Sequence, residues 1–502
     1  MQKNKVDILL VGAGVMSATL GVLLSRLDPS LKIMMVERLG KVANESTHSL
    51  NNAGTGHAGY CELNYTPQKA DGSVEINKAL AINAGFEVSL QFWSWLVEQH
   101  VLPASHEFIN AIPHQSFVWG DKDVAFLKKR YEALHQHHLF EEMEYSEDHH
   151  VLRKWMPLVM THRKANEKVA ATQVKLGSDI DFGSLTKHMI KWLKKQPNFE
   201  LVLGHSIENL KQQSNGHWKV GIKNTHSEES RTLDAGFVFL GAGGGALPLL
   251  QKAGLPESKG YGGFPVSGQW LICKNTELVK KHHTKVYGRA PTGSPPMSVP
   301  HLDSRIIDGQ PALIFGPYAG FTTKFLKEGS IFDLFGSVKS SNLKPMMSVA
   351  FDNMDLTRYL IKGALQSHKD RVGALLDFYA DAKEDEWSLA SAGHRVQIIK
   401  KCDSKGGKLE FGTEIITSKD GSLASLLGAS PGASISVQAM IEVIERCFKK
   451  QLKSVEWQNQ MREMIPSYGE SLDENVALLH SIRERTRKTL GLDAGPVKHK
   501  TI

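Results

Sequence analysis

Two glycines and an acid near the start of the chain have the spacing of a dinucleotide-binding turn. The aliphatic run Val6–Val11 leads into a turn that contains Gly12, Gly14 and Ser17, and Glu37 stands 23 residues after Gly14. The first glycine permits a tight turn, the second lets a pyrophosphate approach the backbone, and the small serine suits helix–strand packing. An acid at the position of Glu37 can bind the ribose hydroxyls. The spacing predicts a site for an adenine dinucleotide.

The elements that must position this turn are a buried parallel strand, a helix and a second strand. Val6–Val11 is predicted as the first strand, 18–27 as the helix and 32–36 as the second strand. A further buried strand is predicted at 237–240, and the Gly-rich stretch 241–246, which includes Gly243, precedes another helix. This alternation is typical of an α/β fold with a nucleotide at the carboxyl edge of its sheet.

The segment after Glu37 favours FAD over NAD. Residues 44–65 are rich in Gly, Asn, Ser and Thr and show little periodicity, whereas an NAD domain would continue its strand–helix alternation. Such a segment offers backbone NH groups and amide side chains to a pyrophosphate, a ribityl chain and a flavin ring. An ordinary surface loop is the alternative interpretation.

A second Gly-rich turn lies near the C-terminus. Residues 428–434 lead into a predicted helix at 435–448, so free NH groups at the helix start would point at an acceptor. A reduced flavin is negative near N1 and the C2 carbonyl, and the positive end of a helix favours that charge. An ordinary capped helix is the alternative.

Length, charge and cysteine content exclude several classes of protein. The 502 residues suggest two or three structural units, and the net charge of +7 includes no basic run of the kind that binds nucleic acid. Four dispersed cysteines predict reduced thiols in a cytosolic protein, without a disulfide framework or a zinc site. The apolar stretch 8–24 is interrupted by polar residues and glycines, so we expect no membrane span and at most a peripheral contact.

Several segments together resemble the malate:quinone oxidoreductase family, the FAD-dependent, membrane-associated malate dehydrogenases of bacteria. They are VDILLVGAGVMSATLG, STHSLNNAGTGHAGYCELNYTP, GSDIDFGSLT, SVPHLDSRIIDGQPALIFGPYAGFTTKFLKEGS, AGHRVQIIK and LLGASPGAS. The second and fourth are long and specific to that family. The first and last are shared with flavoproteins of the amino-acid-oxidase type.

The resemblance implies a fold, a reaction and a set of cofactor residues. The fold is α/β, with an FAD-binding Rossmann-like lobe of the amino-acid-oxidase type interleaved with a substrate lobe on a mixed or antiparallel sheet. The reaction is oxidation of (S)-malate to oxaloacetate, with FAD as first acceptor and a membrane quinone as second, in the tricarboxylic acid cycle. The FAD residues carried over are Gly12, Gly14, Ser17, Glu37, Asn51, Asn52, Gly54, Thr55 and Gly56, with Gly432 and Ala433 near the flavin and Ile207 near adenine.

Oxidation of a 2-hydroxy acid needs a base, a hydride path and cations for two carboxylates. Arg305 and Arg395 are the predicted carboxylate clamp because a guanidinium is planar, charged and bidentate. His301, in a Pro-flanked turn with Arg305, is the preferred base, and His57 in the flavin-side segment is its rival. A structural, hydrogen-bonded role is the alternative for each of the four.

The alternation also predicts how the lobes interleave. We expect the FAD-binding lobe at 1–66, 170–255 and 401–502, and the helical and substrate-binding lobe at 67–169 and 256–400. The protein is expected in the cytoplasm, peripherally associated with the inner face of the cytoplasmic membrane. Residues 321–338 mix Phe, Leu and Ile with lysines and are a candidate interfacial patch, although a core helix with exposed lysines explains them equally well.

Other clusters and other functions remain open on the sequence. The His- and Glu-rich stretch 135–150 lacks the spacing of a metal motif, and the aromatics of 86–96 fit a helix in the core. A soluble FAD oxidase of hydroxy or amino acids that uses oxygen is one alternative. A flavin-binding protein without turnover is the other.

Overall fold

Two β-sheets form the framework of the structure, a computed structural model that describes residues 4–290, 299–428 and 432–493. The strands of the first sheet, within these residues, are β1 (Lys5–Val11), β2 (Ile33–Val36), β8 (Phe199–Val202), β9 (His205–Gln212), β10 (Trp218–Asn224), β11 (Ser230–Leu240), β19 (Thr413–Thr417) and β20 (Leu423–Gly428). Strand β1 lies at the centre, parallel to β2 and β11. Its aliphatic side chains are buried on both faces, as predicted for Val6–Val11.

The second sheet is mixed, and it is built mainly from the middle of the chain. Its strands are β4 (His114–Trp119), β5 (Glu144–Ser146), β6 (Val169–Val174), β12 (Gly262–Cys273), β13 (Lys285–Tyr287), β14 (His301–Ile307), β15 (Gln310–Phe321), β16 (Ser388–Ser391), β17 (Arg395–Cys402) and β18 (Gly406–Glu410). Strands β13 and β4 pair in parallel, and the other neighbouring strands of this sheet, within the described residues, pair antiparallel. A short ladder joins β3 (Ile109–Ala111) to β7 (Ser178–Ile180).

Helices cover the first sheet and cap the second. They are α1 (Val15–Leu27), α2 (Asn77–Glu98), α3 (Asp121–His135), α4 (His149–Trp155), α5 (Phe182–Leu193), α6 (Ala246–Ala253), α7 (Thr276–Val279), α8 (Asp333–Gly336), α9 (Leu343–Asp352), α10 (Met354–Ala364), α11 (His368–Leu376), α12 (Ser436–Cys447), α13 (Val455–Met464) and α14 (Val476–Leu490). Within the described ranges, no helix combines the length and the apolar character needed to cross a bilayer.

The main core lies between the first sheet and the helices packed on it. Side chains of α1, α2, α5 and α12 form one cluster with Ile8 and Leu10 of β1. The aromatic residues of α2, from Phe86 to Trp95, are buried in it, so the prediction that they belong to the core is confirmed. The strand–turn–helix–strand order at the N-terminus and the helix after residue 434 are confirmed as well.

Strand membership differs from the predicted domain bounds at two places. The predicted FAD-binding lobe includes residues 170–174 and 406–410, but β6 and β18, to which they belong, pair within the second sheet. The predicted Pro-flanked turn around His301 is also wrong, because residues 301–307 form strand β14, paired along its length with β15.

A buried ion pair fastens the C-terminal helix to the core. Arg483 of α14 donates from Nε to the Glu87 carboxylate of α2 at 2.7 Å and from Nη2 to the Leu139 carbonyl at 3.0 Å. Both charged side chains are almost fully buried. Removing one partner leaves the other charge without compensation in the core.

We predict that Arg483→Leu lowers the free energy of unfolding by about 3–5 kcal/mol, the usual cost of an unpaired buried charge. Arg485→Leu is the matched control, because Arg485 on the same helix pairs with Glu98 in a partly exposed position. Its loss should cost about 0–1 kcal/mol. Urea unfolding of the two variants checks this, and equal destabilisation would contradict the assigned role of Arg483.

Candidate active site

The first of two adjoining cavities lies at the carboxyl ends of β1, β2 and β11. Its lining includes residues 12–16, Glu37, much of the loop 43–57, residues 241–244, and residues 432–434. This is the crevice in which α/β sheets of this kind bind ligands. The N-terminal turn and the start of the C-terminal helix therefore face one space, although they are more than 400 residues apart.

Gly12 is required where the turn meets the neighbouring strand. Its φ is +93°, and a Cβ there would lie 2.7 Å from the Gly241 carbonyl oxygen. Helix α1 then begins after Gly14, which has no side chain to cap it, and Thr47 Oγ1 of the loop that follows β2 accepts the Val15 NH at 3.2 Å. Residues 13–16 line the cavity, so the positive end of the helix faces it. Ser17 lies beneath the turn, where its Oγ packs against Gly241, and it does not line the cavity. Its role is packing, which needs a small residue.

Glu37 lies at the end of β2 and faces the turn. Its carboxylate accepts hydrogen bonds from the backbone NH of Ala13 at 2.8 Å and of Leu39 at 2.9 Å. These bonds hold the carboxylate at the edge of the cavity where an adenosine ribose would bind. The ribose contact itself stays a prediction.

The loop 43–57 is shaped by its own amide side chains. Asn51 Nδ2 donates to the Glu45 carbonyl at 2.8 Å, and Asn52 Nδ2 donates to the His48 carbonyl at 2.9 Å. Gly54 has φ +59° and lies so close to the Arg305 guanidinium that a Cβ would overlap it. Asn51, Asn52, Gly54 and Thr55 line the first cavity. The loop is thus preformed around this space.

Three further predicted cofactor residues occupy different positions. Gly56 is buried behind the loop, where a Cβ would lie 2.1 Å from Ser178 Oγ. Gly243 lines the first cavity, with φ +54°. Ile207 lies in β9 with its side chain in the core, away from the described cavity lining, so its adenine contact stays a prediction.

The C-terminal turn meets the loop through a serine. Ser434 Oγ accepts the His57 NH at 3.0 Å and donates to the Thr55 carbonyl at 3.0 Å. Gly432 and Ala433 line the first cavity beside it, and α12 begins at Ser436 without a side-chain cap. Residues 429–431 of the predicted Gly-rich turn lie outside the described residues.

The second cavity adjoins the first, and the two share Ala53, His57 and Arg395. Its walls come from the second sheet and from the segment that follows the loop. They include Glu62, Lys78, Trp270, Tyr287, His301, Gln397, Lys408 and Glu410. A ligand in this space would therefore lie next to a ligand in the first cavity, with His57 and Arg395 at the boundary.

His301 is held at the wall of the second cavity by an aspartate and an aromatic ring. Its Nδ1 lies 2.8 Å from Asp303 Oδ2, and its imidazole stacks on Tyr287 with ring centroids 4.1 Å apart. Burial alone would raise the pKa of Asp303, but His301 and Lys285 beside it leave that pKa below its usual value. With Nδ1 donating to this carboxylate, Nε2 is left as the acceptor.

A buried ion network stands behind this histidine. Lys285 Nζ lies 2.9 Å from Asp179 Oδ1 and 3.5 Å from Asp303 Oδ2, and it donates to the Ala53 carbonyl at 3.0 Å. Asp303, Lys285 and Asp179 were not among the predicted site residues. His301, Asp303 and Arg305 alternate along one face of a strand, and this pattern could have identified Asp303 as a site residue. A turn was instead predicted here from the sequence, because Pro300 precedes these residues.

Arg305 does not take part in a carboxylate clamp, which corrects the prediction. Its guanidinium donates to Asp179 Oδ1 at 3.0 Å and to the Ser49, Asn52 and Ile180 carbonyls at 2.8, 2.6 and 3.2 Å. The side chain is fully buried and lines neither cavity. Because its donors are already engaged, Arg305 fixes the loop 43–57 instead of binding a substrate.

Arg395 and His57 both lie at the boundary between the two cavities, and their predicted roles toward a substrate stay predictions. Arg395 begins β17 and lines both cavities, and the described residues provide its guanidinium with no hydrogen-bond acceptor. Burial lowers its pKa. Burial, reinforced by His114 and His301, lowers the pKa of His57 to about 3. His57 is therefore a neutral imidazole near pH 7, and a poor proton acceptor.

The His- and Glu-rich stretch provides no metal centre among the described residues, where no group of three or more His, Cys, Asp or Glu side chains could hold an ion. His138 instead bonds the Leu472 carbonyl, and His149 bonds the Glu167 carbonyl. These histidines have structural partners.

Comparison with known proteins identifies a family and a fold. The family model for malate:quinone oxidoreductase (Mqo) matches residues 4–492. A probable malate:quinone oxidoreductase of Hahella chejuensis is 64% identical over 98% of this chain and 99% of its own length. One from Methylobacillus flagellatus is 61% identical over 97% and 98%.

Solved structures with low identity share the fold alone. Dithionite-reduced L-α-glycerophosphate oxidase from Mycoplasma pneumoniae with FAD bound has a TM-score of 0.57 and 16% identity, over 88% of this chain and 95% of that chain. Glycine oxidase from Geobacillus kaustophilus has a TM-score of 0.57 and 12% identity, over 89% and 95%. The predicted amino-acid-oxidase-type fold is confirmed.

The first cavity suits FAD on its own chemistry. It offers the positive N-terminal end of α1 for a pyrophosphate, a carboxylate for a ribose, and a turn that packs against Gly241 only because Gly12 lacks a Cβ. FAD is the cofactor of this chain.

We predict that Gly12→Ala purifies with little or no FAD, because the new Cβ must displace the backbone at Gly241 and distort the turn. Gly40→Ala is the control, since a Cβ there meets no atom within 4 Å. The flavin-to-protein absorbance ratio after reconstitution measures the effect, with circular dichroism to verify folding. Full FAD content in Gly12→Ala would contradict this account of the turn.

Proposed function

We propose how this chain, which belongs to the malate:quinone oxidoreductase family, carries out its reaction. It oxidises (S)-malate to oxaloacetate and reduces a membrane quinone, a step of the tricarboxylic acid cycle. FAD held in the first cavity would supply the redox chemistry, as an acceptor for the hydride from C2 of malate and a donor of electrons to the quinone. The observation that carries the assignment of residues is the shared boundary of the two cavities at Ala53, His57 and Arg395.

The first cavity holds FAD in this proposal. The backbone at Gly14 and the first turn of α1 binds the pyrophosphate, and Glu37 binds the adenosine ribose. The loop 43–57 and residues 432–434 surround the isoalloxazine end, because they adjoin the second cavity. We propose accordingly that the first sheet and its helices form the FAD-binding lobe and that the second sheet forms the substrate lobe.

His301 takes the proton of the malate hydroxyl. Its Nδ1 is bonded to Asp303, so Nε2 carries the lone pair, and the stacked Tyr287 ring fixes the plane of the imidazole. When Nε2 accepts the proton, the buried Asp303 carboxylate stabilises the imidazolium that forms. Asp303 is the positioning residue, and His301 is the base.

Arg395 binds one malate carboxylate at the boundary of the cavities. Lys78 and Lys408 also line the second cavity and supply positive charge for the other carboxylate. His57 stays neutral, since burial and neighbouring cations lower its pKa to about 3, and it orients the substrate by hydrogen bonding. The rival assignment of His57 as the base is therefore not favoured.

We also propose peripheral contact with the inner face of the cytoplasmic membrane. A quinone acceptor is dissolved in the bilayer, so the protein must reach the lipid surface to reduce it. Malate and oxaloacetate are water-soluble and reach the second cavity from the cytoplasm.

We predict that anaerobic malate bleaches the flavin of the purified protein and that His301→Asn slows this reduction by about 10²–10⁴-fold, the usual contribution of a positioned base. Asp303→Asn should slow it less, because the histidine remains but its tautomer is no longer fixed. Stopped-flow absorbance measures both, with FAD content as the control for folding. A holoprotein that malate does not reduce would contradict the proposed function.

Glu62 makes malate binding depend on pH. It lines the second cavity, and burial raises its pKa to about 7 against the opposing effects of the Asn64 NH, Arg130 and Lys78. Below that pH the carboxyl is neutral, and above it a negative charge faces a dicarboxylate substrate.

We predict that KM for malate rises severalfold between about pH 6 and about pH 8.5, as Glu62 ionises, and that Glu62→Gln removes the rise. Glu410→Gln is the control. Glu410 lines the same cavity, but Lys400 holds its pKa below the usual value, so it is charged throughout this range. Its removal should change KM equally at both pH values. A pH dependence that persists in Glu62→Gln would exclude this explanation.

A further inference from the structure

Exposed apolar side chains are concentrated in one stretch of the chain. Of the 19 large apolar side chains that are exposed among the described residues, 11 lie between Ile331 and Leu365. Scattered exposed apolar residues are normal on a protein surface, but a contiguous set marks an interaction site. The stretch covers α8, α9 and α10 and the connections between them.

Helix α9 presents an apolar stripe outward. Leu343, Met347 and Phe351 follow one another at a spacing of four residues and are exposed, Phe351 by 69%. Pro345 and Val349 lie on the opposite side and are buried. Helices on protein surfaces ordinarily turn their apolar stripe to the core and a polar stripe to water. Here both sides are apolar.

Helix α10 and the residue after it repeat this arrangement. Met354, Ile361 and Leu365 share the outer side and are exposed, Leu365 by 79%, whereas Leu360 is fully buried. Gly363 packs so closely on β15 that a Cβ would lie 2.2 Å from the Ala319 carbonyl oxygen. The helix is therefore fixed on the second sheet, and its apolar side has no partner among the described residues.

Exposed cations accompany the two stripes. Lys339, Lys344, Arg358 and Lys362 are exposed within the same stretch, against two exposed carboxylates, Asp352 and Asp355. A second copy of the chain packed symmetrically on this surface would bring the same four cations together. Anionic lipid headgroups would instead pair with them.

The elements that carry this surface also contact residues at the walls of both cavities. The segment 324–328 follows β15, with Leu326 in the lining of the first cavity and the NH groups of Lys327 and Glu328 donating to Glu45 of the loop 43–57. Ile331, Phe332 and Phe335 come next and are exposed. On the other side, Pro345 packs on Gly407 of β18, the strand that brings Lys408 to the second cavity.

The interfacial patch predicted at 321–338 overlaps the beginning of this stretch, and membrane contact there stays a prediction. Phe325 is 1% exposed in the core, and Leu334 is half-buried. Ile331, Phe332 and Phe335 are strongly exposed, and Phe321 and Val338 at the two ends of the segment are exposed by 37% each. The larger share of the exposed apolar groups lies beyond it, on α9 and α10.

We propose that the outer sides of α9 and α10, with residues 331–335, form the surface that docks on an anionic lipid bilayer. The choice of a bilayer rests on the proposed function, because a quinone substrate enters from lipid and this surface lies beside the FAD cavity. The apolar stripes insert between headgroups, and the four cations contact phosphates.

The first test compares two double variants of the FAD-loaded protein. Phe351→Ser with Leu365→Ser removes two apolar groups from the surface, and Val455→Ser with Val476→Ser removes two exposed apolar groups from other helices. We expect cosedimentation with phosphatidylcholine–phosphatidylglycerol vesicles to weaken about tenfold or more in the first and to be unchanged in the second.

Malate oxidation with a soluble dye acceptor should be the same in both double variants, and it reports on the proposed function independently of vesicle binding. Equal vesicle binding by the first variant and the unmodified protein would overturn the proposal. So would a dimer in solution that the first variant dissociates while its vesicle binding is unchanged.

A labelling experiment locates the contact directly. In a Cys402→Ser background, an environment-sensitive fluorophore on Leu365→Cys should shift to the blue when vesicles are added, whereas the same label on Val455→Cys should not. Cys61 and Cys273 are buried and Cys447 is partly buried, so the introduced thiol is the main target. Identical spectra with and without vesicles at position 365 would overturn the proposal.

Discussion

The buried Asp179 carboxylate is the constraint on which the active site depends. It lies 2.9 Å from Lys285 Nζ and accepts hydrogen bonds from Arg305 Nε and the Ile306 NH, each at 3.0 Å. Burying the side chains of two cations without such a partner would cost several kcal/mol for each, as a rough magnitude. Through them, Asp179 connects its own strand β7 to β13, to β14 and to the loop 43–57. These four segments come from separate parts of the chain.

The same network determines which charges remain for the substrate. Arg305 donates its hydrogen bonds to the loop and to Asp179, and the Lys285 ammonium contacts Asp179, Asp303 and the Ala53 carbonyl. Neither side chain is therefore left to bind a carboxylate of the substrate. Arg395 remains at the boundary of the cavities. Asp303 belongs to the network and also holds His301, so the group that would take the substrate proton and the loop that would surround the flavin are positioned by one set of contacts.

The sequence could predict the parts of the site that short-range rules determine. The turn around Gly12, the acid Glu37 and the helix after residue 434 each follow from local patterns of glycine and apolar residues. The role of Arg305 could not be found in this way, because its partners Ser49, Asn52 and Asp179 lie more than 120 residues away in sequence. An arginine that binds a ligand and one that binds backbone carbonyls look alike until the tertiary contacts are known.

The helices α9 and α10 show a different limit of sequence interpretation. Residues spaced by four along a helix define an apolar side, but that periodicity is the same whether the side faces a protein core or a lipid surface. What separates the two cases is a second apolar side that already satisfies the packing with the sheet, as Val349 and Leu360 do here. Because the sheet buries only one side of each helix, the other side has no partner within the part of the chain that the structure describes, and a lipid surface provides one in our proposal.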